Sequence, residues 1–197
     1  MVAALVVIVP AGPGAAAVDV AATIRGSLTS TGGQAEGGAS VGPTLAMAPD
    51  GRYVAFASEA RNLVPGDTNN AADVFVRDRV AGTTERVSLS STGKQGNDLS
   101  FQPAFSADDR YLVFSSYASN LVPGDTNGAE DIFMRDRWAG TTRPVSVSDT
   151  GAPGNSYSYS VAMSGNGQDI AFNSASTNLV PGDTNDQPDT FIRHRPS

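Results

Sequence analysis

No cysteine occurs anywhere in the 197 residues, which excludes a disulfide framework and any thiolate metal site. The compartment stays open on that ground, because exported bacterial proteins often fold without disulfides. Histidine is nearly absent too. A Ser/His/Asp triad could be built only on His194, close to the C-terminus, and no nucleophile elbow or oxyanion loop accompanies it, so it reads as an exposed edge residue. Basic residues are few, 13 Lys and Arg against 20 Asp and Glu, and the net charge of −7 argues against nucleic acid or an anionic membrane as the main partner. Long hydrophobic runs are missing as well. The run Ala3 to Val9 is far too short to span a bilayer, so no membrane span is expected. It leads through Pro10 into the small-residue stretch Gly14 to Ala17, with no basic residue before Arg25. Residues 1–21 therefore read as a truncated signal peptide or an apolar leader, with a buried strand as the alternative. The first reading places the protein in an extracellular or periplasmic location.

What is present is repetition. The octapeptide Asn-Leu-Val-Pro-Gly-Asp-Thr-Asn occurs unchanged at 62–69, 120–127 and 178–185, which sets a period of 58 residues. Asp73-Val-Phe-Val-Arg-Asp-Arg79 returns as Asp131-Ile-Phe-Met-Arg-Asp-Arg137 and as Asp189-Thr-Phe-Ile-Arg-His-Arg195. The paired arginines of this segment read as solvated strand-edge residues. No stretch carries a helical apolar stripe over three turns; the local period is that of strands. In the middle unit four strands are expected, at Ala104 to Ser106, Tyr111 to Ser115, Asp131 to Arg135 and Pro144 to Ser148, the last because Val145 and Val147 alternate with serines.

Four-stranded antiparallel units at fixed period predict an all-β chain of β-propeller blades over residues 22–197. Residues 23–32 match 84–93, so an N-terminal strand is expected to complete the last blade, whose own fourth strand is missing. The count is three blades, fewer than the usual four to eight. Two arrangements follow: a partial propeller belonging to a longer chain, or half of a ring that a homodimer completes.

Ala48-Pro-Asp-Gly-Arg-Tyr-Val-Ala-Phe56 and Ser106-Ala-Asp-Asp-Arg-Tyr-Leu-Val-Phe114 resemble the TolB-type, WD40-like propeller repeat, and the Asp-Val-Phe-Val-Arg-Asp segment resembles that family's next strand. The resemblance covers about residues 22–195 and implies the propeller fold. Such repeats serve as binding platforms in many proteins and as accessory domains in some peptidases, so it implies less about function. The third copy departs, with Ser164-Gly-Asn-Gly-Gln-Asp-Ile170 and with His194 in place of Asp78 and Asp136.

Chemistry concentrates in the loop between the second and third strands. Asp67, Asn69 and Asp73 recur as Asp125, Asn127, Asp131 and as Asp183, Asn185, Asp189. Short oxygen-bearing side chains at alternate loop positions suit calcium, a hard cation that takes oxygen ligands, with a backbone carbonyl joining them. The six aspartates of these triads match nearly the whole net charge of −7. The same residues also make a tight turn with an Asx cap, and the terminal bidentate Glu of an EF-hand is lacking. Calcium site and structural turn both stand as readings at this level. Paired acids for glycoside cleavage are disfavoured, because a catalytic acid is needed once per site and not once per blade.

Strand polarity puts the loops after the second and fourth strands at one end of the ring and the tight turns at the other. The long loops, Ser58 to Ala71 and Ser90 to Asn97 in the first unit, mark the binding end. Trp138, in a tight turn, reads as an exposed packing residue. The functional reading is a non-enzymatic, exported propeller module that presents an acidic face, stiffened by calcium if the triads bind it, to a protein or carbohydrate. The alternatives are the propeller portion of a larger hydrolase or lyase and a fragment of a longer propeller.

Overall fold

The computed structural model describes residues 23–38 and 45–195, and residues 1–21, read above as a leader, lie outside them. Among the described residues every regular element is a strand. The first sheet is β1 (Leu45–Met47), β2 (Tyr53–Ser58), β3 (Asp73–Asp78) and β4 (Thr83–Arg86), in that order. The second is β5 (Ser100–Phe105), β6 (Tyr111–Ser116), β7 (Asp131–Asp136) and β8 (Thr141–Pro144). The third holds β9 (Ser158–Met163), β10 (Asp169–Ser174) and β11 (Asp189–His194). All pairings are antiparallel, as three successive propeller blades require.

Alternation along the strands gives each blade two apolar faces, and the blades stack through them. Val74 and Val76 of the first blade bury against Leu112, Phe114 and Phe133 of the second. Val113, Ile132 and Met134 of the second bury against Ile170 and Phe172 of the third. Among the described residues the outer faces at the two ends of the stack lack such a neighbour, and Leu45, Met47 and Ile192 stand 73%, 60% and 73% exposed there.

Two strands differ from the sequence expectation. In the first strand of the second blade, β5 starts at Ser100 rather than Ala104. A bulge between Phe101 and Ala104, with Gln102 at φ 54°, interrupts the alternation and hides the first half of the strand. The fourth strand, β8, ends at Pro144 where it was expected to begin. Beyond it the Ser146 hydroxyl takes the N–H of Ile132 and donates to Asp131, so a side chain replaces the next rung of the ladder.

The N-terminal segment also lies elsewhere than expected. Among the described residues β11 is the edge of a three-stranded sheet, and residues 28–30 lie against the first blade. Thr84 donates its hydroxyl to Leu28 O and its N–H to Ser30 Oγ, as Thr142 does to Leu89 O and Ser91 Oγ one blade later. Residues 28–30 thus occupy on blade one the place that 89–91 occupy on blade two.

The paired arginines, expected as solvated strand-edge residues, are inter-element fasteners, and of the six only Arg79 is exposed. Arg77, Arg135 and Arg193 reach carbonyls of the segments at 29, 90 and 148. Arg79 and Arg137 cap the β1–β2 and β5–β6 turns at Gly51 O and Asp109 O, while Arg137 and Arg195 stack 4.4 and 4.2 Å over Tyr53 and Tyr111 of the preceding blade. Guanidinium groups suit this double duty, because a planar cation can hydrogen-bond in its plane and stack on its face.

Candidate functional site

The octapeptide builds the long-loop end, and its two Asn, its Leu and its Gly each have a mechanical task. Asn120 donates its amide to Gln95 O and accepts the N–H of Asn97, clamping its loop to the tail of the preceding blade; Asn62 and Asn178 repeat this with Gln34 and Glu36 and with Pro153 and Asn155. These asparagines were not singled out from the sequence, although their invariance through the repeats was visible. Leu63, Leu121 and Leu179 then bury in the cores. Gly66, Gly124 and Gly182 turn the chain at φ 76°, 82° and 83°, a region open to glycine without strain.

The second Asn of the octapeptide is an Asx cap. Asn69, Asn127 and Asn185 accept the N–H two residues on and donate to Asp73, Asp131 and Asp189 respectively. Asn69 and Asn127 also donate to Gly96 O and Gly154 O. Their side-chain oxygens face N–H donors, so these side chains do the work of the turn. Asp73 and Asp131 accept the hydroxyls of Ser88 and Ser146 at 2.6 Å each, which ties the start of the third strand to the chain beyond the fourth.

The aspartates of each triad do come together, and the three blades treat them differently. In the first blade Arg86 lies between them, 3.1 Å from Asp67 and 3.2 Å from Asp73, with all three side chains at most 6% exposed. Gln95 accepts from the other guanidinium nitrogen, and the guanidinium lies 5.9 Å over the Phe75 ring. Burial pushes the Asp73 carboxyl up to about 6, against the pull of Ser88 and Arg86. In the second blade the residues one period on from Arg86 and Gln95 are Pro144 and Pro153. Neither can supply the cation or its support, and a cavity of about 250 Å3 opens between Asp125, Asp131, Phe133 and the two prolines. Burial first, and the neighbouring Asp131 second, push Asp125 up to about 6, and burial raises Asp131 as well. In the third blade Asp183 and Asp189 line an open cleft with Val180 and Ile192, beside the β11 edge.

Among the described residues no group of three or more acidic or histidine side chains is arranged to hold a metal ion. Arg86 was the residue that sequence reasoning overlooked, though comparing position 86 with position 144 would have exposed it. Glu130 is another: it is 8% exposed, burial raises its carboxyl, and Ala72 and Pro188 stand at the same place in the other blades.

His194 lies on the exposed edge strand β11, its Nδ1 2.8 Å from Asp169, and Trp138 is 70% exposed with the Arg110 guanidinium 5.2 Å over its ring. At the tight-turn end Arg52 and Arg110 pair with Asp78 and Asp136 at 2.7 Å, holding both carboxyls below the usual range.

No protein-family model matches the chain, and no curated protein sequence does. Solved structures do. The TolB structure from Agrobacterium tumefaciens superposes with a TM-score of 0.51 at 15% identity, covering 82% of this chain and 46% of that one. TolB from Acinetobacter baumannii gives a TM-score of 0.44 at 17% identity over 77% of this chain and 31% of that one. The tricorn protease gives 0.44 at 14%, over 74% and 11%. The chain therefore spans less than half the length of each of these proteins. With its three antiparallel blades, it has the fold of a TolB-like β-propeller in part.

Proposed function

We propose that this protein is a non-catalytic binding module, working outside the cytoplasm, that presents its long-loop end to a polypeptide or carbohydrate. The observation that carries the reading is the asymmetry of the blade ends. One end has loops pinned by the Asn62, Asn120 and Asn178 clamps and carries the acid pairs. The other has tight turns fixed by the Asp78 and Asp136 carboxylates, which accept two backbone N–H groups each. Pinned loops on a rigid scaffold offer a surface of defined shape at low ordering cost. The apolar run at the N-terminus supports export. Exposed Leu45 and Met47 on the first blade and Ile192 on the third support end-to-end contact between copies, which would complete a ring; light scattering of the purified chain measures it.

The test is capture of ligands from arrayed peptides and glycans by the full chain. Substitutions on the long-loop end, such as Lys94→Glu with Thr126→Arg, are expected to abolish capture, while Val80→Glu with Trp138→Glu at the opposite end leaves it unchanged. Loss through the second pair alone, or no capture at all, overturns the reading.

A further inference from the structure

The cavity of the second blade is the place that Arg86 fills in the first. The backbone elements and the surrounding side chains correspond one period apart: Asp67 with Asp125, Asp73 with Asp131, Phe75 with Phe133, Ser88 with Ser146. What differs is the plug, Arg86 with its Gln95 support, against Pro144 with Pro153. The molecule thus displays a cation on this carboxylate pair in one blade and the same pair facing open space in the next.

We propose that the second-blade cavity binds the guanidinium of an arginine side chain donated by a polypeptide partner, an inference that rests on the binding-module reading and names its ligand chemistry. Four features point to guanidinium over a metal ion. A guanidinium already occupies the equivalent position. Two carboxylates and an aromatic face form the recognition set, which suits a planar cation able to pair at its edge while its face lies over Phe133. Asn127 is committed to the turn through both its amide nitrogen and its oxygen, so the oxygen count falls well short of the about six to eight that calcium takes. Apart from Ser146, whose hydroxyl is given to Asp131, the remaining side-chain walls, Val122, Pro144 and Pro153 among them, are apolar, matching the methylene stem of an arginine.

Size agrees. A cavity of about 250 Å3 lies below the range typical of sites for whole small molecules, about 300 Å3 and upward, and accommodates one side chain entering from the loop end. Among the described residues Asp125 has no hydrogen-bond donor compensating it, in contrast to Asp131 with Ser146 and Asn127, so it is the carboxylate that an incoming cation completes.

The probe is N-acetyl-arginine amide titrated into the full chain at pH 7.5, followed by amide chemical shifts. The expected result is saturable shifts centred on Gly124, Asp125 and Gly151, weakened at least about tenfold in Asp125→Asn and abolished in Pro144→Arg, whose own side chain refills the space. N-acetyl-lysine amide is expected to bind more weakly, having a point charge in place of the planar fork. No saturable shift with arginine amide, shifts that persist in both variants, or shifts produced by calcium chloride and not by arginine amide overturn the proposal. The two readings fail separately. Array capture that survives Pro144→Arg keeps the binding module and removes the arginine pocket; arginine amide binding with no captured macromolecule does the reverse.

Discussion

Arg86 closes over Asp67 and Asp73 in the first blade, while Pro144 stands at the same place in the second and leaves Asp125 and Asp131 facing a cavity. The two blades otherwise share turns, caps, Arg–Asp forks and stacking faces nearly residue for residue. A buried ion pair gains little net stability over an apolar filling, because desolvation consumes most of the Coulomb attraction. The first blade's arrangement is therefore charge-paired rather than strongly stabilising: Arg86 neutralises the acid pair that the loop architecture brings together, while among the described residues the Asp67 oxygens form no aligned hydrogen bond. The second blade keeps the pair and lacks the neutraliser, which makes it the place where an external cation gains most.

The largest break in this comparison is Arg86→Ala. It leaves two buried carboxylates without their cation and is expected to cost about 3–5 kcal/mol, read as a lowered urea midpoint. Asp125→Ala in the second blade is expected to move that midpoint by less than about 1 kcal/mol, and upward if at all, since it removes an uncompensated charge.

Next comes a pH effect. The folded Asp125 carboxyl titrates at about 6, above its unfolded value, so the folded state holds the proton more tightly. The site's cost is absent below about pH 4, grows as the pH rises and is complete above about 6, which means that stability falls across that window. Asp125 and Asp131 are the titratable groups lining the cavity. Asp125→Asn is expected to flatten the wild-type fall by under about 1 kcal/mol, because the group is partly solvated; an unchanged slope contradicts the assignment.

A smaller effect separates the second blade from both others at the first hairpin. Asp109 adopts φ 59° where Gly51 and Gly167 adopt 73° and 68°, and its Oδ1 is buried without a hydrogen-bond partner among the described residues. Asp109→Gly is expected to stabilise by about 0.5–1 kcal/mol, seen as a higher thermal midpoint. The smallest effect belongs to the third blade, where His194 replaces Asp78 and Asp136 and pairs with Asp169 at an exposed edge. His194→Ala is expected to change stability by less than about 0.5 kcal/mol, measured by denaturant titration.

The period of 58, the blade class and the middle strands β6 and β7 were legible in the sequence, because strict repetition and alternating apolar residues report directly on strand packing. The limits of β5 and β8 were not. A bulge with positive φ at Gln102 and a hydroxyl substituting for a ladder bond at Ser146 both break the rule that alternation equals pairing. The N-terminal match to the segment after β4 was real, yet the partner was misassigned: sequence similarity between repeats says which role a segment plays, not which blade receives it. Of the site, the aspartates were visible as a recurring set and the turn role of their asparagines was one of two readings. The cation was not legible in the shared motif, because Arg86 and Pro144 occupy one repeat position and carry their meaning in what differs between blades.

The most direct measurement is the thermal midpoint of the wild-type chain and of Pro144→Arg, each with and without saturating N-acetyl-arginine amide. Ligand that binds only the folded state raises the midpoint by mass action. A rise is expected in the wild type and none in Pro144→Arg, whose midpoint without ligand already matches or exceeds that of the wild type. No rise in the wild type, or an equal rise in both, would contradict the claim that the second blade holds open the site that Arg86 fills in the first.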